Sequence, residues 1–175
     1  MRKYLITLVL QSLLFIPSFQ VAAADAPATF TVGEFKFTRP EKWEWIESTS
    51  AMRKAQLKVG KGTESAEVVF YYFGQGGGGG TKANVDRWLS QFQDAKNQKT
   101  EEVTVNKHKV TYVQVEGTYL SGMPGTAKTP MSNSMLQGAI LESDEGSVFV
   151  KMTGPIELVK ENKQTFRKMV EGALK

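Results

Sequence analysis

The amino-acid sequence predicts an α/β domain of the α+β type, an antiparallel sheet with helices on both of its faces. Three observations carry this expectation. Short alternating apolar runs are separated by hairpin-length turns, the connections that join antiparallel neighbours. Residues 66–73 are apolar or aromatic on both faces from Val68 to Phe73, as a strand covered from two sides must be. Two stretches carry a helical stripe: Val85, Trp88, Leu89 and Phe92 in one, and Val159, Phe166, Met169, Val170, Ala173 and Leu174 in the other.

In chain order, Arg2 and Lys3 precede an apolar run over residues 4–19, interrupted by Gln11, Ser12, Pro17 and Ser18. Small residues then sit at the −3 and −1 positions for cleavage after Ala23 or after Ala24. Basic, apolar and small-residue regions in this order make a secretory signal peptide over residues 1–24. The run is too short and interrupted for a membrane span of roughly 20 residues, and no later stretch is apolar enough to span. Residues 25–29 read as a short linker and residues 30–175 as one domain.

Within that domain, Phe30-Thr-Val and Phe35-Lys-Phe alternate around Gly33-Glu34 as two short strands, and Trp43-Glu-Trp resumes the alternation with both tryptophans on one face. Residues 52–59 alternate as a half-buried strand, with Ala55, Leu57 and Val59 inward. Five glycines, Gly76, Gly77, Gly78, Gly79 and Gly80, follow the two-sided strand. Ordering them is entropically costly, so they read as a flexible connector to a helix capped near residues 81–84. Residues 101–106 and 109–119 form a hairpin about Asn106-Lys107-His108, with Val113 and Val115 opposing Val110 and Tyr112. Residues 121–133 have no period and carry Gly122, Pro124, Gly125 and Pro130, which makes a long loop. A hairpin over 135–142 and 147–153 turns at Ser143-Asp-Glu-Gly146, and Gly154-Pro155 ends the strand and opens the last helix.

Composition excludes several functions. The chain has no cysteine, so disulfides, thiolate metal sites and a lipid-modified N-terminal cysteine are out. Without Arg2 and Lys3 it carries 20 basic against 18 acidic residues, and the basic ones are interleaved with acids. Nothing in this points to nucleic acid. His108 is the single histidine and sits at an expected turn; with no cysteine, the usual zinc sites are missing. A serine–histidine–acid triad would need a nucleophile-elbow serine, and none is present. Gly80-Thr81-Lys82 fails the Gly-Lys-Ser/Thr order of a phosphate-binding loop. Met123, Met131 and Met135 could present soft thioethers to copper(I), but Met135 opens a strand and should pack inward. Glu142, Asp144 and Glu145 crowd a solvated hairpin tip, too few oxygens for calcium. Trp43, Trp45 and Trp88 fit core positions.

Three stretches together resemble the PsbP-like fold: Phe35-Lys-Phe-Thr-Arg-Pro-Glu-Lys-Trp43, the helix from Val85 to Phe92 after a two-sided strand, and Phe149-Val-Lys-Met-Thr-Gly-Pro155. The last resembles a subgroup of exported bacterial proteins ending in Phe-x-Lys-x-Thr-Gly-Pro. The fold is shared by the extrinsic PsbP subunit of photosystem II and a Ran-binding nuclear import factor. The resemblance spans residues 30–175 and implies a sandwich acting as a binding or assembly module, with no catalytic residues to carry over.

The expectation is therefore an exported, non-enzymatic module binding a protein or small molecule, without cofactor or metal. Its binding loops would be 74–80 and 121–133, with Gly76–Gly80, Met123, Pro124 and Met131 at the contact. The competing classes are a hydrolase with an unrecognised site and a structural envelope component.

Overall fold

The computed structural model describes residues 26–122 and 125–175. The expected signal peptide, its cleavage point, Asp25, Met123 and Pro124 lie outside the described residues. A hairpin of β1 (Thr29–Val32) and β2 (Phe35–Thr38) forms a small two-stranded sheet. The main sheet has seven strands: β3 (Glu44–Trp45), β4 (Arg53–Lys61), β5 (Glu64–Tyr72), β6 (Phe92–Val105), β7 (His108–Ser121), β8 (Thr129–Leu141) and β9 (Val148–Pro155). Their spatial order is β3-β4-β5-β9-β8-β7-β6, antiparallel at every pairing. The last strand, β9, thus joins an early meander to a late one. Helices α1 (Thr81–Leu89) and α2 (Ile156–Gly172) take opposite faces, as the sequence predicts.

The two-face alternation produces two cores. On β7, Val110 and Tyr112 point to the α2 side while Val113 and Val115 point to the α1 side. The larger core lies under α2, whose Val159, Phe166 and Val170 are fully buried against residues such as Phe70, Val150 and Met152. Met135 joins this core, as expected. The smaller core packs Val85 and Trp88 of α1 on Leu136, Ile140 and Phe149.

The motif Phe35-to-Trp43 is a clasp. The Arg39 guanidinium donates to the carbonyls of Trp43 (2.6 Å) and Pro27 (2.9 Å), and its backbone N–H to Ala28 (2.8 Å). Residues 26–28 are therefore tied to the domain, and Thr29, expected in the linker, already opens β1.

Several boundaries differ from the sequence expectation, each for a physical reason. Phe92 is the first residue of β6 instead of the end of the helix stripe, although it packs in the α1 core. Residues 93–100 are polar except for Ala95 yet continue β6. They lie on the sheet edge, where register shifts and positive φ at Asp94 (50°) and Asn97 (52°) bulge the strand. The loop expected over 121–133 shrinks, because β7 runs to Ser121 and pairs with Thr129 at the start of β8. Trp43 and Trp45 face the same core, as the sequence predicts, although only Trp45 lies within a strand. Trp43 precedes β3 and is buried, its indole N–H donating to Asn162 (3.2 Å), whereas Trp45 packs edge-on to Phe30. His108 opens β7 with its ring edge-on to Phe35, just after Asn106 and Lys107, both at positive φ in a two-residue turn.

Phe166 and Lys168 give a direct test of which face α2 presents. Phe166 is fully buried and Lys168 is exposed. Phe166→Ala should cost about 3–5 kcal/mol in urea denaturation, against less than about 0.5 kcal/mol for Lys168→Ala. Equal costs would place the helix on the wrong face.

Candidate functional site

Helix α1 covers only part of its face of the sheet. Across that face a row of paired residues runs over five strands: Gln56, Val69, Lys151, Gly138 and Val113. At Gly138 the row has no side chain, and the Trp88 ring occupies the space. A β-carbon there would overlap that ring. Trp88 also meets Phe149 edge-on, with centroids 6.5 Å apart.

The five glycines fix where α1 begins, and the flexible connector expected there is instead pinned. The Asn84 amide is fully buried and donates to the carbonyls of Gly78 (2.8 Å), Gly80 (3.0 Å) and Gly79 (3.3 Å), while Arg87 donates to its oxygen. Gly78 has φ +79°, and a β-carbon on it would lie 2.8 Å from both the Phe149 and Phe73 rings. A side chain there is excluded by conformation and by space. Thr81 donates to Glu142 (2.6 Å), so that hairpin-tip carboxylate also serves the start of the helix.

Beyond α1 the same sheet face opens into a groove of about 1130 Å³. Its floor is Gln56, Val69, Tyr71, Lys151 and Thr153; one wall is Arg87 and Trp88, and the other is the chain from Ile46 to Met52. Tyr119, Ser121, Gly122 and Met131 close one end. Three large apolar side chains are strongly exposed among the described residues, Met52 (51%), Phe73 (44%) and Met131 (46%), and all three line this groove.

The groove is positively biased. Arg53, Lys58, Arg87 and Lys151 line it against Glu47 and Glu67. Glu67 is taken by Arg53 (2.5 Å) and Gln56 (2.8 Å), and Glu47 by the Trp45 indole (2.7 Å). Lys151 donates to Gln91 (2.8 Å) and lies 5.5 Å and 6.0 Å from the Tyr119 and Trp88 ring centres. Among the described residues no carboxylate is within ion-pair distance of Lys151 or Arg87. Burial, then the Arg87 guanidinium, draw the Lys151 ammonium down to about 8.

Of the residues expected at a site, Met131 lies on the groove rim, alongside Ser121 and Gly122. Gly76–Gly80 lie outside its lining and hold α1 in place. The sequence reading missed Lys151, Tyr71 and Tyr119. The available signal was Lys151 itself, a cation in the apolar run Val148-Phe-Val-Lys-Met152. Among the described residues no group of three His, Asp or Glu side chains is placed to hold a metal, and no helix is long and apolar enough to cross a membrane.

No family model matches the sequence, and no curated protein does. The structure is similar to cyanobacterial PsbP (CyanoP) from Synechocystis sp. PCC 6803, with a TM-score of 0.55 at 6% identity, over 87% of this chain and 95% of that one. A protein of unknown function from Pseudomonas aeruginosa, PA94, aligns with a TM-score of 0.47 at 13% identity, over 82% of this chain and 92% of that one. The fold is thus PsbP-like, an antiparallel sheet between two helices.

The depressed Lys151 carries a stability consequence. Below about pH 8 both folded and unfolded chains hold the proton, and the fold bears the full cost of burying the charge. As pH rises from about 8 toward the ordinary lysine value near 10.4, the folded state releases its proton first, the unfolded state binds more, and stability increases. The increase is at most about 3 kcal/mol. Lys151→Met should lack it and should be about 1–3 kcal/mol more stable than wild type near pH 7. Urea denaturation near pH 7 and near pH 9.5 measures both; identical pH dependence in the two proteins would mean that Lys151 is not buried as described.

Proposed function

We propose that the domain is an exported, non-enzymatic binding module and that the groove beside α1 is where its ligand sits. The single observation that carries this reading is that Met52, Phe73 and Met131, the three strongly exposed large apolar residues, all gather on that one groove. Scattered apolar residues are ordinary on a protein surface, whereas apolar residues gathered around a concavity mark a binding site. Methionine at two of the three rim positions suits a surface that adapts to its ligand, because its side chain is flexible and polarizable.

The residues behind the resemblance support the same place. Phe149-Val-Lys-Met-Thr-Gly-Pro155 is the stretch that resembles the exported bacterial subgroup, and it sends Phe149, Lys151 and Thr153 to the groove. We place the chain with that subgroup on this stretch, and read residues 1–24 as the signal that exports it. The other contact loop expected from the sequence, 74–80, then serves the site indirectly, by fixing α1.

Binding of the uncharged apolar dye Nile red tests the site. Wild type should bind it saturably with enhanced fluorescence. The double substitution Phe73→Ser and Met131→Ser, with folding checked by urea denaturation because Phe73 also packs on Tyr71 and Phe149, should weaken binding at least about fivefold, near 1 kcal/mol. Unchanged binding in the variant would remove the groove as the site.

A further inference from the structure

We propose, building on the groove as the binding site, that its ligand is a small amphipathic organic anion whose carboxylate is held between Lys151 and Arg87 while its apolar body lies along Tyr71 and Phe73.

The charges decide the sign of the ligand. Four basic side chains line the groove against two acidic ones, and both acids are already occupied, Glu67 by Arg53 and Gln56 and Glu47 by Trp45. A cationic ligand would enter a site of net positive charge. A neutral one would leave the Lys151 ammonium further desolvated with no carboxylate at ion-pair distance, the nearby Glu67 being paired with Arg53, a costly state. An anion supplies what the site lacks. Lys151 has three N–H donors, and its side-chain bond goes to Gln91, leaving donors for a ligand. Arg87 is anchored by its bond to Asn84, so its guanidinium is pre-positioned at the groove wall. A charge-assisted bond to a carboxylate is stronger than one to the neutral Gln91 oxygen.

The apolar side is equally specific. Tyr71 and Phe73 alternate on one face of the chain and stack with centroids 6.4 Å apart at 11°. Phe73 leads outward to the exposed rim. Lys151, with Trp88 and Tyr119 beside it, therefore forms a cationic end, and Tyr71 and Phe73, further along from the Val69–Lys151 pair, give an apolar one. A single negative head on an apolar body matches both ends. The groove volume of about 1130 Å³ is slightly above the roughly 300–1,000 Å³ common for ligand sites and leaves room for a small molecule.

The test compares octanoate with 1-octanol, equal in chain and different in charge, by calorimetric titration of wild type, Lys151→Met and Lys151→Arg. Octanoate should bind wild type about tenfold more tightly than octanol. Lys151→Met should abolish that preference while leaving octanol binding unchanged or improved, and Lys151→Arg should retain it. If octanoate and octanol bind wild type equally, and Lys151→Met alters neither, the anion proposal fails while the groove remains a binding site. If neither binds at millimolar concentration, and Nile red is indifferent to the rim substitutions, the groove reading fails together with it. Retained octanoate preference in Lys151→Met overturns the role given to Lys151.

Discussion

The contact between the Trp88 ring and the bare backbone at Gly138 sets the layout of the α1 face. A strand interior normally offers side chains to the layer above it, and glycine there weakens the strand. Here the missing side chain lets a helix of only nine residues sit close to the sheet through one large ring. Such a helix is too short to be stable alone and depends on tertiary packing. Its position is fixed at two points, by Trp88 over Gly138 and by the Asn84 amide gripping the glycine carbonyls that lead into it. Everything on the open half of the face follows from where α1 stops. Arg87 and Trp88 become the wall of the groove, and Gln91, just past the helix, reaches Lys151.

The two faces of the sheet are built for different ends. Under α2 the core is large and wholly apolar in its central contacts, with Phe70, Val150 and Phe166 fully buried. On the α1 side the centre of the sheet carries a lysine. A half-buried ammonium with no carboxylate at ion-pair distance works against folding, and an apolar side chain of similar length would pack there at lower cost. The stability of the domain therefore resides mainly in the α2 core, which leaves the α1 face able to hold an unfavourable charge beside an unfilled groove. Functional sites are commonly where local rules of stability are broken.

Much of this architecture was legible in the residues. The opposed pairs on β7 and the α2 stripe follow from periodicity and lie where it puts them, whereas the two-sided run from Val68 is covered by the α2 core on one face and leaves Tyr71 and Phe73 at the open groove on the other. The edge portion of β6 was not legible, because residues 93–100 bury almost nothing and a bulged polar strand has no hydrophobic period to read. The glycine run misled in a different way. Glycine signals conformational freedom, but Gly78 is required here by a positive φ and by two adjacent rings, and the residue that orders the run is Asn84, several positions away. The groove itself could be read only in part. Met131 stood out, but Arg87, Tyr119 and Lys151 come from three separate elements, and only the strand order β5-β9-β8-β7 brings them together.

The account rests on the seat of α1, and amide hydrogen exchange in Gly138→Ala measures that seat directly. The added methyl group cannot coexist with the Trp88 ring in its present place, so α1 must lift. The account predicts faster exchange across the amides of α1 and residues 90–92, with the amides of α2 and of the β4–β5 pairing unchanged, because they belong to the other core. Unchanged protection of α1 in the variant, or an equal loss of protection in both helices, would contradict it.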